Sequence, residues 1–366
     1  MKWVAILLFL LARFAIGAQP SNPGQGNIPT GPQGGQGNQG NQGGNGANGG
    51  VPVIVPGQAV TLSPGVNPKV LVGAFARNSN RLALANQLSL SDLLTLRQIL
   101  LDRIGYGSRD IGLWAASNGD FVHEEATRVT SAGLIVSVDK KFCENFVLGI
   151  AAGGSHSTST DLDASVGWGG LYGLGFWRSF YANQTVIGGG NTFSTTRVGP
   201  FGGVAHGSST GWFFSENTQA GYNVKRGSWT VDPYALLQYS LSGSGGFSET
   251  GSIAPVSVRS NTSTSIVTDL GTEVSYDLGK LTAKVIAAWE HEYSDTTTFS
   301  VVNIVGIPSS VTTVSAPSLG HESAVVGAGI TYRLGKRTSI NLGYNGQFGR
   351  RNYESNGVTG SVRIGF

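Results

Sequence analysis

The sequence predicts an all-β chain: a twelve-stranded antiparallel transmembrane β-barrel with an N-terminal α-helix in the lumen. Three observations carry this expectation. The chain ends on a strand in which Val358, Gly360, Val362, Ile364 and Phe366 alternate with Thr359, Ser361, Arg363 and Gly365, one face greasy and the other polar. The same two-residue period recurs again and again back to residue 111. The N-terminus has the layout of a secretory signal, with Lys2, an apolar run from Trp3 to Ala12, Arg13, and then the small residues Ala15, Gly17 and Ala18. No later stretch is long and apolar enough for a spanning helix, so a membrane crossing has to be made by strands.

Composition agrees. Charged residues are only 12% and glycine is 56 of 366, about twice ordinary usage, which argues against a conventional soluble core. Leaving out Gly17 and the glycine-rich segment 21–50 does not remove the excess, so it lies in the strands as well. The formal charge of +3 falls to +1 without Lys2 and Arg13, and no nucleic-acid partner is expected. The single cysteine, Cys143, rules out an internal disulfide and reads as incidental.

In chain order, residues 1–18 form the signal peptide. Residues 19–68 are Gly, Asn, Gln and Pro for long stretches and carry no charge, too little apolar surface to offset ordering entropy. They read as a disordered passenger or tether. Residues 69–110 are a linker and a helix. The helix is 89–104, with capping-box spacing of Ser89 and Asp92 and a stop at Gly105. Leu90, Leu93, Leu94, Leu100, Leu101 and Ile104 share one face with Arg97 in its middle, and a buried cation there needs a partner, which carboxylates in a polar lumen would supply.

Residues 111–366 form the barrel. The strands fall at about 111–117, 129–138, 145–154, 165–177, 181–193, 211–224, 228–242, 264–276, 280–293, 321–334, 338–348 and 356–366. Five short connectors alternate with six longer ones, the pattern of periplasmic turns and outer loops, which leaves both chain ends on the short-turn side. The outside is expected to be apolar and the lumen polar. Trp168, Tyr222, Trp229, Trp289, Tyr332 and Phe366 are expected in the interfacial girdles. Glu216 is a misfit on the lipid face, to be excused by a bulge or by a place near the rim. For Arg97 the expected partners are Asp269, Glu273 or Glu290, all on inward phases.

At this point the residues resemble a known family. LWAAS at 113–117, VDPYALLQY at 231–239, FSETG at 247–251, LTAKVIAAWEHEYSD at 281–295, INLGYNGQFG at 340–349 and SVRIGF at 361–366 are similar, in order, to the autotransporter β-domain of type V secretion. The resemblance implies a barrel with a helix in its pore and an N-terminal passenger outside. It also implies insertion by the barrel assembly machinery with periplasmic chaperones, Val362, Ile364 and Phe366 acting as the assembly signal. The passenger departs from the family in being short, without a repeat ladder or a catalytic motif.

The expected function is a translocator in the outer membrane of a Gram-negative-type cell, bathed in outer-membrane lipid. It would export or display its own N-terminal segment at the cell surface. A passenger-less pore for small solutes is the alternative. No catalytic, metal or cofactor site is expected. Asp120, His123, Glu124, Glu125, His156 and Asp161 in the first two outer loops could in principle converge on acid–base work, but loop charges are usually just solvated. His206, His291 and His321 lack metal-ligand spacing.

Overall fold

The computed structural model describes residues 111–366 apart from 125–126, 199–202, 253, 298 and 316–317. The signal, the tether, the helix at 89–104 and Arg97 lie outside the described residues.

Twelve strands build the wall: β1 (Ile111–Glu124), β2 (Thr127–Cys143), β3 (Phe146–Thr158), β4 (Leu162–Trp177), β5 (Phe180–Val198), β6 (Gly203–Tyr222), β7 (Trp229–Ser244), β8 (Asn261–Asp277), β9 (Leu281–Glu292), β10 (Glu322–Arg333), β11 (Thr338–Arg350) and β12 (Tyr353–Gly365). Each pairs antiparallel with its sequence neighbours, and β12 pairs with β1 from Gly112↔Gly365 to Glu124↔Tyr353, so the sheet closes. Closure leaves no unpaired edge within the ring. The Phe366 N–H completes the seam by donating to the Ile111 carbonyl at 2.9 Å.

All twelve expected strands are present, but those flanking the long loops run further than the period suggested. β6 begins at Gly203 rather than near 211, and β1 and β2 stay paired up to Glu124↔Thr127, so the expected loop 118–128 is mostly hairpin. Ser, Thr and Gly there look like loop composition, yet continued cross-strand pairing holds them in the sheet.

The alternation sorts as expected on the outside. Val358, Val362, Ile364 and Phe366 are exposed, as are Val285, Trp289, Ile330, Tyr332 and Leu342. At the short-turn end Trp177, Phe180 and Tyr222 sit side by side, with ring centroids 6.1 and 4.6 Å apart, and Trp229 packs on Tyr276 at 4.7 Å. Trp212 faces out on the same strand as Tyr222, ten residues away. At ~3.3 Å per residue and ~40° tilt the two aromatics bracket ~25 Å, the height of an apolar band.

Two expectations are corrected. Trp168 is not in a girdle: it is buried on the inward phase of β4. Glu216 keeps its outward phase between Trp212 and Tyr222, with no register shift against either neighbouring strand, so neither a bulge nor a rim position explains it. Instead the buried Gln184 amide of β5 donates to its carboxylate at 2.5 Å, giving the acid a local partner in place of water.

Glycine in the strands has a packing role. Gly149, Gly153, Gly221 and Gly271 stand directly across from Tyr172, Trp168, Tyr181 and Tyr234. A Cβ on each would meet its partner's ring system or phenol oxygen at 2.3 to 2.6 Å, so each ring lies flat over the bare backbone opposite. The flattened rings fill the lumen wall and tie neighbouring strands together.

Candidate functional site: the lumen and its cap

The inward phases define the lumen, and its two halves differ. On β1–β6 an apolar cluster sits among polar residues: Trp114, Ile135, Val166, Trp168, Ile187 and Phe213 form one buried group with Tyr172. The expectation of a polar lumen is corrected for this cluster. Some of the polar groups beside this cluster are bonded to one another. Trp114 Nε1 donates to Tyr172 Oη at 3.1 Å, Tyr172 donates to Asp139 at 3.1 Å, and Ser137 Oγ lies 2.8 Å from the same phenol.

On β7–β12 the wall is polar and acidic. Asp269 and Glu290 stand directly across from one another on β8 and β9, and Glu273 stands across from Asp232 of β7. Asp269, Glu290 and Glu292 are buried, with Lys284 on the same wall. Glu290 accepts from Ser323 Oγ at 2.9 Å and from the Gln347 amide. Glu292 accepts the Ile266 N–H at 3.0 Å and the Ser294 N–H at 2.9 Å, which holds it at the top of the wall. The three expected carboxylates thus share one inward patch, interleaved with Tyr234, Leu236 and Ile286.

A small sheet lies over part of the long-loop mouth. Phe247–Ser248, Val256–Val258, Phe299–Ile304 and Thr312–Ser315 pair into a small antiparallel sheet drawn from the connectors after β7 and β9. Its Val256, Val258, Val302 and Ile304 pack with Val122, Val129, Leu162 and Phe193, inward residues of β1, β2, β4 and β5. Those strands lie across the ring from the end of β9, so the sheet reaches over the opening as a cap. Removing this apolar surface from water holds it down at roughly 25 cal/mol per Å² buried.

One ion pair fastens the cap. Arg197 of β5 and Glu249 of the cap are both buried and meet in a two-point contact, Nε donating to Oε1 at 3.0 Å and Nη2 to Oε2. Nη2 also donates to the Ala254 carbonyl at 3.3 Å, and Glu249 Oε2 accepts the Val256 N–H at 2.9 Å. Paired geometry of this kind satisfies both charges once they are out of water. At the other flank Arg350 Nε donates to the Gly320 carbonyl at 3.2 Å.

Sequence reasoning missed both the cap and its ion pair. The alternation of Val256 with Val258 and of Val302 with Ile304 was the available signal, whereas Arg197 and Glu249 are 52 residues apart with nothing local to link them. The Glu124 side chain and Glu125 lie outside the described residues, and the described loop acids and histidines do not converge. Asp120 accepts from Asn118 at 2.9 Å, His123 is exposed on the outward phase, and His156 bonds Ser165 at 3.0 Å. His291 lies 2.7 Å from Glu322, and His321 Nδ1 lies 2.7 Å from the Glu292 carbonyl oxygen. Among the described residues no group of three or more His, Cys, Asp or Glu could hold a metal ion.

Comparison with known proteins places this architecture. The family model for the autotransporter beta-domain matches residues 113–345. The translocator domain of autotransporter NalP from Neisseria meningitidis is similar at TM-score 0.64 and 18% identity, covering 77% of this chain and 98% of that one. The beta domain of the Bordetella autotransporter BrkA is similar at TM-score 0.53 and 16% identity, covering 70% of this chain and all of that one, 100%. No curated protein sequence matches the chain. A closed twelve-stranded ring, an outward apolar band and a family match over well over half the chain converge: this chain belongs to the autotransporter β-domain family and is an outer-membrane translocator barrel.

Proposed function

We propose that the barrel anchors and exports its own N-terminal segment, residues 19–68, and holds it at the cell surface through the helix 89–104 seated in the lumen. The observation that carries this reading is the carboxylate patch of Asp269, Glu273 and Glu290 set among Tyr234, Leu236 and Ile286. A cation in the middle of a leucine stripe, as Arg97 is, needs that mixture of acid and apolar surface around it. Sixteen helical residues at ~1.5 Å each would span ~24 Å, close to the height of the apolar band. The helix joins β1 at the short-turn end, so its start would point toward the long loops and the tether would emerge there.

The test is protease added to intact cells. An epitope near Gln42 should be destroyed while the barrel survives; an epitope that persists until the outer membrane is broken would sink surface display. Arg97→Glu should loosen the helix and leave residues 89–104 open to hydrogen exchange, and unchanged protection of those residues would reject the Arg97 pairing. The cap weighs against the alternative of an open solute pore, because a resting pore needs a clear mouth.

Assembly is proposed to depend on the closing strand. Val362, Ile364 and Phe366 line one outward face, and Phe366 makes the last seam bond. This is the surface that assembly machinery and periplasmic chaperones would read. Deleting Phe366 should leave protease-sensitive chain in the periplasm; normal heat-modifiable barrel in the membrane fraction would overturn this role.

A further inference from the structure

We propose that the short-turn rim is a docking ring for the anionic phospholipid headgroups of the leaflet it borders. Each of the five short turns carries at least one cation or is flanked by one: Lys140 and Lys141 at the end of β2, then Arg178, then Lys225 and Arg226, then Lys280, then Lys336 and Arg337. A third of the chain's 24 Lys and Arg are thus concentrated in or beside the short turns. The acids nearby do not cancel them. Asp139 is buried in the lumen wall, Asp277 is ion-paired to Arg333 at 3.5 Å, and within the turns only Glu144 is an exposed acid. The long-loop end is different in kind: there His123 stands between Glu354 and Arg128, and signs are mixed. The near-neutral balance of the whole chain therefore conceals a sorted one.

Depth matches the sign. The cations flank the aromatic belt of Trp177, Phe180, Tyr222 and Trp229, which marks the level of the headgroups. The Arg178 guanidinium sits 5.5 Å from the Trp177 ring centre, and the Lys140 ammonium sits 5.7 Å from that of Phe142. These contacts keep charge at the belt rather than out in solution. Four to eight Lys or Arg gathered at a membrane surface attract anionic lipid, and each adds to the binding within a Debye length.

The experiment uses the full chain folded into phosphatidylcholine vesicles carrying trace spin-labelled phosphatidylglycerol or phosphatidylcholine, with the motionally restricted fraction read by electron spin resonance. Phosphatidylglycerol should be preferred several-fold at low salt, the preference falling toward parity at high salt. It should also fall toward parity in the variant Lys225→Gln, Arg226→Gln, Lys336→Gln, Arg337→Gln. It should persist in Arg128→Gln, Arg259→Gln, Arg351→Gln, which removes cations from the other end. Parity in the unaltered protein, a preference that survives the rim variant, or loss from the long-loop variant would each overturn the proposal. So would binding of a poly-glutamate peptide to the rim with lipids at parity, which would assign the rim to an acidic protein instead. If the rim variant does not fold, the salt series on the unaltered chain decides: a preference indifferent to salt overturns it.

Discussion

Glu249→Ala is expected to release the cap, so that residues 293–321 become cleavable by protease added to the folded protein while the barrel keeps its heat-modifiable mobility. The expectation follows from what the substitution leaves behind. Arg197 would remain buried, 7% exposed, with its carboxylate partner gone and the Ala254 carbonyl still in contact. Removing one partner of a buried pair costs about 3–5 kcal/mol, because the other charge is stranded. The cap cannot absorb that. Its strands are two to six residues long, and small isolated sheets of this kind are marginal without the surface they pack on.

The matched control is Arg197→Met with Glu249→Leu, which removes both charges and keeps the volume. That double variant should hold the cap at least as well as the original pair. Conductance gives a second reading. With residues 89–104 deleted, the barrel should still conduct poorly while the cap is closed, and Glu249→Ala in that background should raise conductance by more than an order of magnitude. Equal conductance in the two deletion forms would show that the cap is no barrier.

The contrast between cap and wall also explains what could be read from the sequence. The wall is a local pattern: in β9, Val285 and Trp289 alternate with Lys284 and Glu290, and the pairing partner is always the next strand in the chain. Period, turn and register therefore carried all twelve strands and the inward phase of Asp269, Glu273 and Glu290. Trp168 was misplaced because an aromatic near a strand end looks alike facing lipid or lumen; what decides is Gly153 across from it, on another strand. The same holds for the apolar cluster on β1–β6, whose rings depend on glycines in register. The cap is less legible still. Val302 is buried against residues from four strands on the far side of the ring, and nothing within ten residues of it announces that.

The dependence on bare backbone gives the largest expected effect of a single substitution in the wall. Gly170→Val should prevent the barrel from reaching its folded membrane form. Gly170 faces inward on β4, between Trp168 and Tyr172, opposite Ile187 of β5. A Cβ there would lie 2.3 Å from the Val186 carbonyl oxygen, 2.6 Å from Ile187 Cγ2 and 2.9 Å from Ile187 Cα. Two of these three atoms are backbone, so no rotamer change relieves the clash. β4 would have to draw away from β5, and in a closed ring every other pairing must share that shift. Overpacking usually costs about 1–3 kcal/mol where side chains can give way, and more where they cannot. The neighbouring Gly169 supplies the control. It points outward, and the nearest atom to its Cβ would be the Ala151 carbonyl oxygen at an ordinary 3.9 Å. Gly169→Ala should therefore fold normally, since alanine also stiffens the unfolded chain. The comparison is the fraction of each variant that shows heat-modifiable mobility after refolding into vesicles. Normal folding of Gly170→Val, or failure of Gly169→Ala alongside it, would show that the close approach of β4 and β5 does not govern closure.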